Sequence, residues 1–176
     1  MTPNASRLLQ RYGVDRIIGP NLVSFTALHM RARTGRPIGY TSIPRIERAL
    51  AAPWWLVQRA HLHGGLAAAA RAHGATLRTA SRVASLGDAA GGRVTARTAA
   101  GHALAFDLVV GADGAHSAVR RALFPGTRPR APTANAAFRI VVPYARLEAD
   151  GDHAVRAFAR RRAMEVWMGE GRYVIA

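Results

Sequence analysis

A chain of 176 residues, 49% hydrophobic and 20% charged, has the balance of an ordinary globular protein, which excludes a disordered chain and allows one domain, or one domain plus a piece of another. The absence of cysteine excludes a disulfide framework and a thiolate metal site. The formal charge of +15, from 25 basic residues that are all arginine, raises nucleic acid or an anionic membrane as a partner. The arginines are scattered, however: the densest run is Arg160–Arg162, and the nearby Phe158 and Trp167 do not alternate with it as base-stacking platforms would.

The N-terminus has no apolar core of signal-peptide length, and no apolar run approaches the ~18 residues needed to cross a membrane, so the chain reads as soluble and cytoplasmic. Thr2-Pro3, the apolar pair Leu8-Leu9 and Gly13 predict a short N-terminal helix with proline at its first position and glycine just past its end. Residues 14–53 carry weak signals, with turn clusters at Gly19-Pro20-Asn21 and Thr34-Gly35-Arg36-Pro37 that imply loops and short strands. Trp54–Val57 suits a strand. Ala60–His73 has helical spacing, and its paired Gly64-Gly65 implies close packing against another backbone to offset the poor helix propensity of glycine.

Between Ala75 and Val110 the pattern changes to short segments, 75–80, 82–87, 93–99 and 102–110, parted by glycine-rich turns. Alternation within them predicts an antiparallel three-stranded meander. The last ends in Leu108-Val109-Val110, which suits a strand buried on both faces. Helical spacing returns after Gly114 and stops at Pro125-Gly126; Pro129–Pro132 reads as a linker. Ala136–Val142 and Met164–Met168 read as strands, and Gly169-Glu170-Gly171 as a turn into a final strand, Arg172–Ala176.

Chemistry concentrates at the strand-turn-helix 108–123. A glycine-rich turn, Gly111-Ala112-Asp113-Gly114, lets backbone N–H groups approach an anion near a helix N-terminus. Asp113 is suited to a ribose hydroxyl or an ordered water, and Arg120, one turn inside, to a phosphate. The same spacing also fits a plain buried strand closed by a turn, with Ser117 as a helix cap. His61 and His63 point apart on a helix and make no metal pair. Asp113, His116 and Ser117 hold the letters of a hydrolase triad, yet neighbours in one turn cannot converge on one proton path.

The segment GADGAHSAVRR, residues 111–121, resembles the D-G motif, (G/A)-A-D-G-x-x-S-x-V-R, of the FAD-dependent aromatic-ring monooxygenases, the group of the para-hydroxybenzoate, salicylate and 6-hydroxynicotinate hydroxylases. TPNASRLLQRYGV at the N-terminus, VQRAHL at 57–62, and AFRIVVPYARL and VWMGEGRYVIA toward the end resemble further family segments in the family's order. The resemblance covers essentially the whole chain, though only the D-G motif is specific by itself. It implies an α/β fold: an incomplete Rossmann-like FAD-binding domain with an antiparallel meander over 1–128, then the first strands of a mixed-sheet substrate domain over 129–176. It also implies that Asp113 and Gly114 lie near the flavin ribose and pyrophosphate, that Arg59 contacts the cofactor, and that the Val83 backbone approaches the adenine. Where the family commonly has aspartate, this chain has His61.

Two family motifs are absent from these residues: the opening G-x-G-x-x-G, which holds the pyrophosphate, and the later G-D-A-x-H. Gly169-Glu170-Gly171 lacks the third glycine and is explained by turn chemistry. The expectation is therefore a middle piece of an enzyme that uses FAD, NADH or NADPH, and dioxygen to hydroxylate a small aromatic ring, with no catalytic base identifiable here. As an isolated chain it is expected to hold FAD weakly or not at all. The alternatives are an arginine-rich nucleic-acid-binding protein and a truncated, inactive gene product.

Overall fold

The N-terminal helix forms as its proline and glycine direct. In the computed structural model, which describes residues 1–127, 131 and 136–176, α1 spans Pro3–Arg11 with Pro3 in its first turn. Leu9 is buried while Leu8 stays half exposed, and the buried Ser6 hydroxyl donates to the carbonyls of Pro3 and Pro53. Gly13 takes φ +68°, a left-handed turn open to glycine, and starts α2, Val14–Ile18. Leu9, Val14 and Ile18 pack with Ala69 as one apolar cluster.

The described residues divide into two compact units, Met1–Leu77 with Ile140–Ala176, and Arg78–Arg139. In the first, short β1 (Val23–Ser24) pairs antiparallel with β4 (Trp55–Leu56), so the strand expected at Trp54–Val57 is two residues long. A hairpin of β2 (Ala27–Ala32) and β3 (Pro37–Ser42) turns at Gly35, φ +85°. It leads into α3 (Ile43–Leu50), whose Ile43 is fully buried. Helix α4, Arg59–Ala72, confirms the helical spacing. Only the second of its paired glycines is packed: a Cβ on Gly65 would meet Ile18 Cγ1 at 2.5 Å, whereas one on Gly64 meets nothing within 4 Å.

The rest of this unit closes on the hairpin. After α6 (Tyr144–Glu148) and α7 (His153–Ala159), β8 (Ala163–Gly169) lies parallel to β2 in register from Ala27–Ala163 to Ala32–Met168. The last strand, β9 (Arg172–Ile175), pairs antiparallel with β8. The sheet order is β3-β2-β8-β9. Glu165 on β8 is buried, and its carboxylate accepts from Arg31 Nε at 2.5 Å and Nη2 at 3.3 Å, with Arg161 Nη1 at 3.5 Å. The Arg31 hydrogen bond, helped by the positive charges around it, holds the carboxyl below the usual glutamate range.

The second unit contains the expected meander, β5 (Val83–Ala89), β6 (Arg93–Thr98) and β7 (Ala103–Phe106), paired consecutively and antiparallel. Gly91 and Gly92, at φ +72° and +74°, make its first turn. Helix α5, Ala118–Leu123, packs against β5.

Three expected strands are not formed. Residues 75–80 and 108–110 are irregular, with Leu108 77% and Val110 79% exposed, and so are the described residues 136–142, where Phe138 is 97% exposed. Each is apolar or alternating enough for a strand, but a strand needs neighbours for its backbone groups, and none pairs with these segments among the described residues. The expected linker lies outside the described residues, Ala131 apart. No described helix is long and apolar enough to cross a membrane, and no group of three or more metal-binding side chains occurs among the described residues.

The two glycines of α4 give substitutions of opposite sign. Gly65→Ala is expected to cost about 1–3 kcal/mol by overpacking Ile18, and Gly64→Ala to gain about 1 kcal/mol of helix propensity; thermal melts of the two variants check this. Glu165→Ala is expected to lower the melting temperature more than Arg161→Ala, because it strips the buried site of its anion and leaves Arg31 unpaired. Since the Glu165 carboxyl is lowered, this contribution is present above the ordinary glutamate range and fades as pH falls through the depressed value.

Candidate functional site

The turn after Val110 is built by what glycine permits and what a carboxylate can cap. A Cβ on Gly111 would stand 2.7 Å from Val119 Cβ and Cγ1, so glycine here lets the chain pass directly against α5. Gly114 sits at φ +80°. Between them Asp113 turns its carboxylate onto the helix start: Ser117 Oγ donates to Oδ1, and the N–H groups of Ala118 and Val119 donate to Oδ2 at 2.6 and 3.3 Å. Ser117 Oγ in turn accepts from the Arg120 N–H at 2.9 Å. These bonds, the one from Ser117 foremost, bring the Asp113 carboxyl down to about 2.

The helix-cap reading of Ser117 is therefore realised, with Asp113 as a second cap. The first-turn N–H groups of Ala118, Val119 and Arg120 are already bonded. What faces outward is the backbone of the turn and the remaining acceptor position of Oδ1, since a carboxylate oxygen has two lone pairs.

A cavity of about 450 Å³ opens beside this turn, wholly within the second unit. One wall is Ser81-Arg82-Val83, entering β5; the other runs from Val109 to Asp113 and continues through His116, Ala118, Val119 and Arg121. The fold thus brings Val83 and Asp113, 30 positions apart, to one cavity, and Gly114 adjoins it. Arg120 is not among the lining residues: its guanidinium donates to the Ala115 carbonyl at 2.5 Å, across the turn. Arg59 belongs to the other unit, exposed at the first position of α4.

Sequence reasoning missed Arg82, His116 and Arg121 as lining residues. Arg121 had a signal, as the second arginine of the D-G segment, and its guanidinium is partly spent on the His116 carbonyl at 2.7 Å. Arg82 had none; it enters the site because β5 begins there. Two cations, one ionised carboxylate and free turn backbone suit a polar, partly anionic ligand with hydroxyl groups.

Other sequence features resolve structurally. Arg161, in the densest arginine run, is tied to Glu165. Trp54 stacks edge-on with Phe25 and Trp167 lies 6.1 Å from Phe158. Gly169-Glu170-Gly171 joins β8 to β9 as a tight turn, with Gly171 at φ +64°.

The model of the FAD binding domain family matches residues 7–167, and the chain belongs to that family. Among its relatives are the FAD-dependent monooxygenase OpS4 of Beauveria bassiana (strain ARSEF 2860), 31% identical over all of this chain and 41% of its own length, and the 3-amino-4-hydroxybenzoate 2-monooxygenase of Streptomyces cremeus, 32% identical over 99% of this chain and 41% of its own. The chain therefore spans about two-fifths of the length of these relatives. Two crystal structures share the fold: FqzB, with a TM-score of 0.71 at 24% identity over 99% of this chain and 39% of that one, and Klebsiella pneumoniae HpxO complexed with FAD and uric acid, with a TM-score of 0.69 at 21% identity over 98% and 41%.

An NMR titration of the Asp113 carboxyl carbon is expected to give a midpoint near 2, and Ser117→Ala to move it up toward the ordinary aspartate range. The sign follows from the lowered value: the cap stabilises α5 above the unfolded-state pKa of about 3.9 and is lost as pH falls through the folded one.

Proposed function

We propose that this chain forms one wall of the flavin site of an FAD-dependent aromatic-ring monooxygenase. In this reading residues 1–128 are part of a Rossmann-like FAD-binding domain with its meander, and residues 129–176 open a mixed-sheet substrate domain whose sheet also takes in β2 and β3. The observation that carries it is the cavity shared by Val83 and Asp113, in a chain that matches the FAD-binding family over residues 7–167.

The chemistry that FAD supplies when bound is reduction by NADH or NADPH and activation of dioxygen, with one oxygen atom passing to the ring and the other leaving as water. The part of this chain is to bind and orient. Asp113, ionised through the working pH range, accepts a ribose hydroxyl at its free Oδ1 position. Gly114 lets the backbone stand close to the pyrophosphate. The Val83 segment receives the adenine edge, Arg120 meets a phosphate by giving up its bond to the Ala115 carbonyl, and Arg59 contacts the cofactor as the resemblance implies. Capping by Ser117 keeps the Asp113 carboxylate in one orientation, so its acceptor is pre-set before the ligand arrives. The substrate is a small aromatic ring, like the 3-amino-4-hydroxybenzoate for which the Streptomyces cremeus relative is named, and the protein works in the cytoplasm.

The isolated chain is expected to purify without stoichiometric FAD, because these residues contain no pyrophosphate-binding G-x-G-x-x-G loop. A chimera with this chain between the flanking segments of the Streptomyces cremeus relative is expected to bind FAD and to take up oxygen when given reduced nicotinamide nucleotide. Asp113→Ala in that chimera is expected to lower flavin content. A folded, monodisperse chimera with no flavin contradicts the proposal, as does stoichiometric FAD on the isolated chain for its dependence on the missing loop.

A further inference from the structure

An antiparallel ladder fixes which backbone groups its edge strand leaves open. In the second unit the strand order is β5-β6-β7; β5 packs against α5, and β7 is the other edge among the described residues. The Thr98 N–H donates to the His102 carbonyl at 2.9 Å. Bonded pairs alternate along such a ladder, so in the β6–β7 register the next bonded pairs are Ala96 with Leu104 and Val94 with Phe106. The N–H and C=O groups of Ala103 and Ala105 therefore point away from β6.

Such an edge invites another strand, and edges are commonly blunted by a charge, a proline or a bulge in the strand itself. β7 has none of these: Ala103-Leu104-Ala105-Phe106 is uncharged and pairs with β6 without a shift of register. The blocking group comes from the neighbouring strand. Arg93, at the start of β6, shares a face with Thr95 and hence with Ala105 opposite it. Its Nη2 donates to the outward Ala105 carbonyl at 2.9 Å, and its Nε stands 3.1 Å from Asp107 Oδ1, so two points hold the guanidinium at the edge. The Arg93 side chain is 47% exposed and that of Asp107 94%. An ion pair that open contributes little stability; what the contact does is occupy the edge.

We propose that Arg93 is an autoinhibitory latch on β7, closing a strand-pairing edge that in its absence takes β7 of a second copy, antiparallel. With Ala103 of one copy opposite Ala105 of the other, every outward N–H and C=O of these two residues finds a partner about a twofold axis. In that register Leu104 meets Leu104, and Phe106, 41% exposed, meets His102; no like charges stand opposite each other. The arginine is the obstacle, because its guanidinium stands where the incoming Ala103 N–H must reach the Ala105 carbonyl. Arg93, Ala105 and Asp107 do not line the cavity beside Asp113, so the latch stands apart from the flavin reading.

The test compares the full chain with Arg93→Ala and with Arg93→Ala/Ala105→Pro, using sedimentation velocity to follow association and hydrogen exchange at single amides to locate it. In Arg93→Ala the Ala103 and Ala105 amides are expected to exchange several-fold more slowly at high protein concentration than at low, with a larger sedimenting species over the same range. In the unsubstituted chain these two amides are expected to exchange freely at every concentration, because association through any other surface leaves the β7 edge alone. Proline at position 105 removes an outward N–H that β6 does not use and is expected to restore fast exchange at Ala103. The inference is overturned by fast, concentration-independent exchange of Ala103 and Ala105 in Arg93→Ala, by equal concentration-dependent slowing with Arg93 in place, or by slowing at Ala103 that survives Ala105→Pro.

Discussion

The first unit depends on the parallel pairing of β2 with β8, strands separated by 130 residues of chain. Parallel strands cannot be joined by a tight turn, so nothing local sets their register; it must be specified by side chains that meet across the pair. The buried Glu165 carboxylate, held in a two-point grip by Arg31 and reached by Arg161, does this. A shift of β8 by one residue would turn Glu165 to the opposite face, away from both arginines. The same register sends Met30, Met164 and Met168 together to the other face. A buried ion pair adds little stability over a well-packed apolar pair, and its contribution here is the choice of alignment.

The second unit solves a similar problem locally. A six-residue helix is too short to be stable by propensity, and α5 is held by its cap and by packing on β5. Asp113 and Ser117 together bind the N–H groups of Ala118, Val119 and Arg120. A residue that the resemblance implies for a ribose is thus also a structural cap. The two roles are compatible because the cap fixes the carboxylate and uses only part of its accepting capacity. Substitutions at Asp113 will accordingly disturb both the helix and any ligand, whereas Ser117 substitutions act on the ligand only through the carboxylate's orientation.

Much of this was legible in the sequence, and the failures share one physical cause. Local signals worked: Pro3 and Gly13 bounded α1, the alternation around Val94 and Ala96 announced the meander, and Asp113-Gly114 marked the turn. Helix α2 and helix α3 escaped because they are short and rich in isoleucine, a residue that favours strands. The apolar runs at 108–110 and 136–142 read as strands because periodicity reports what a segment could bury, whereas burial needs partners. Relatives are more than twice as long, and partner strands for these runs are not among the described residues. At the site, Val83 and Asp113 were recognised separately through the family pattern; that Arg82 and Arg121 join them depends on where β5 enters the meander, which no spacing in the sequence reveals.

The central claim is that the segments at Ser81–Val83 and Gly111–Asp113 form the adenosine-facing wall of a flavin site. Photoaffinity labelling with an FAD analogue carrying an azide on the adenine tests it most directly, because a covalent mark records even weak binding. Peptide mapping is predicted to place the label in one of these two segments, with protection by excess FAD. Protectable label concentrated elsewhere in the chain, or label that excess FAD does not reduce, would contradict the account.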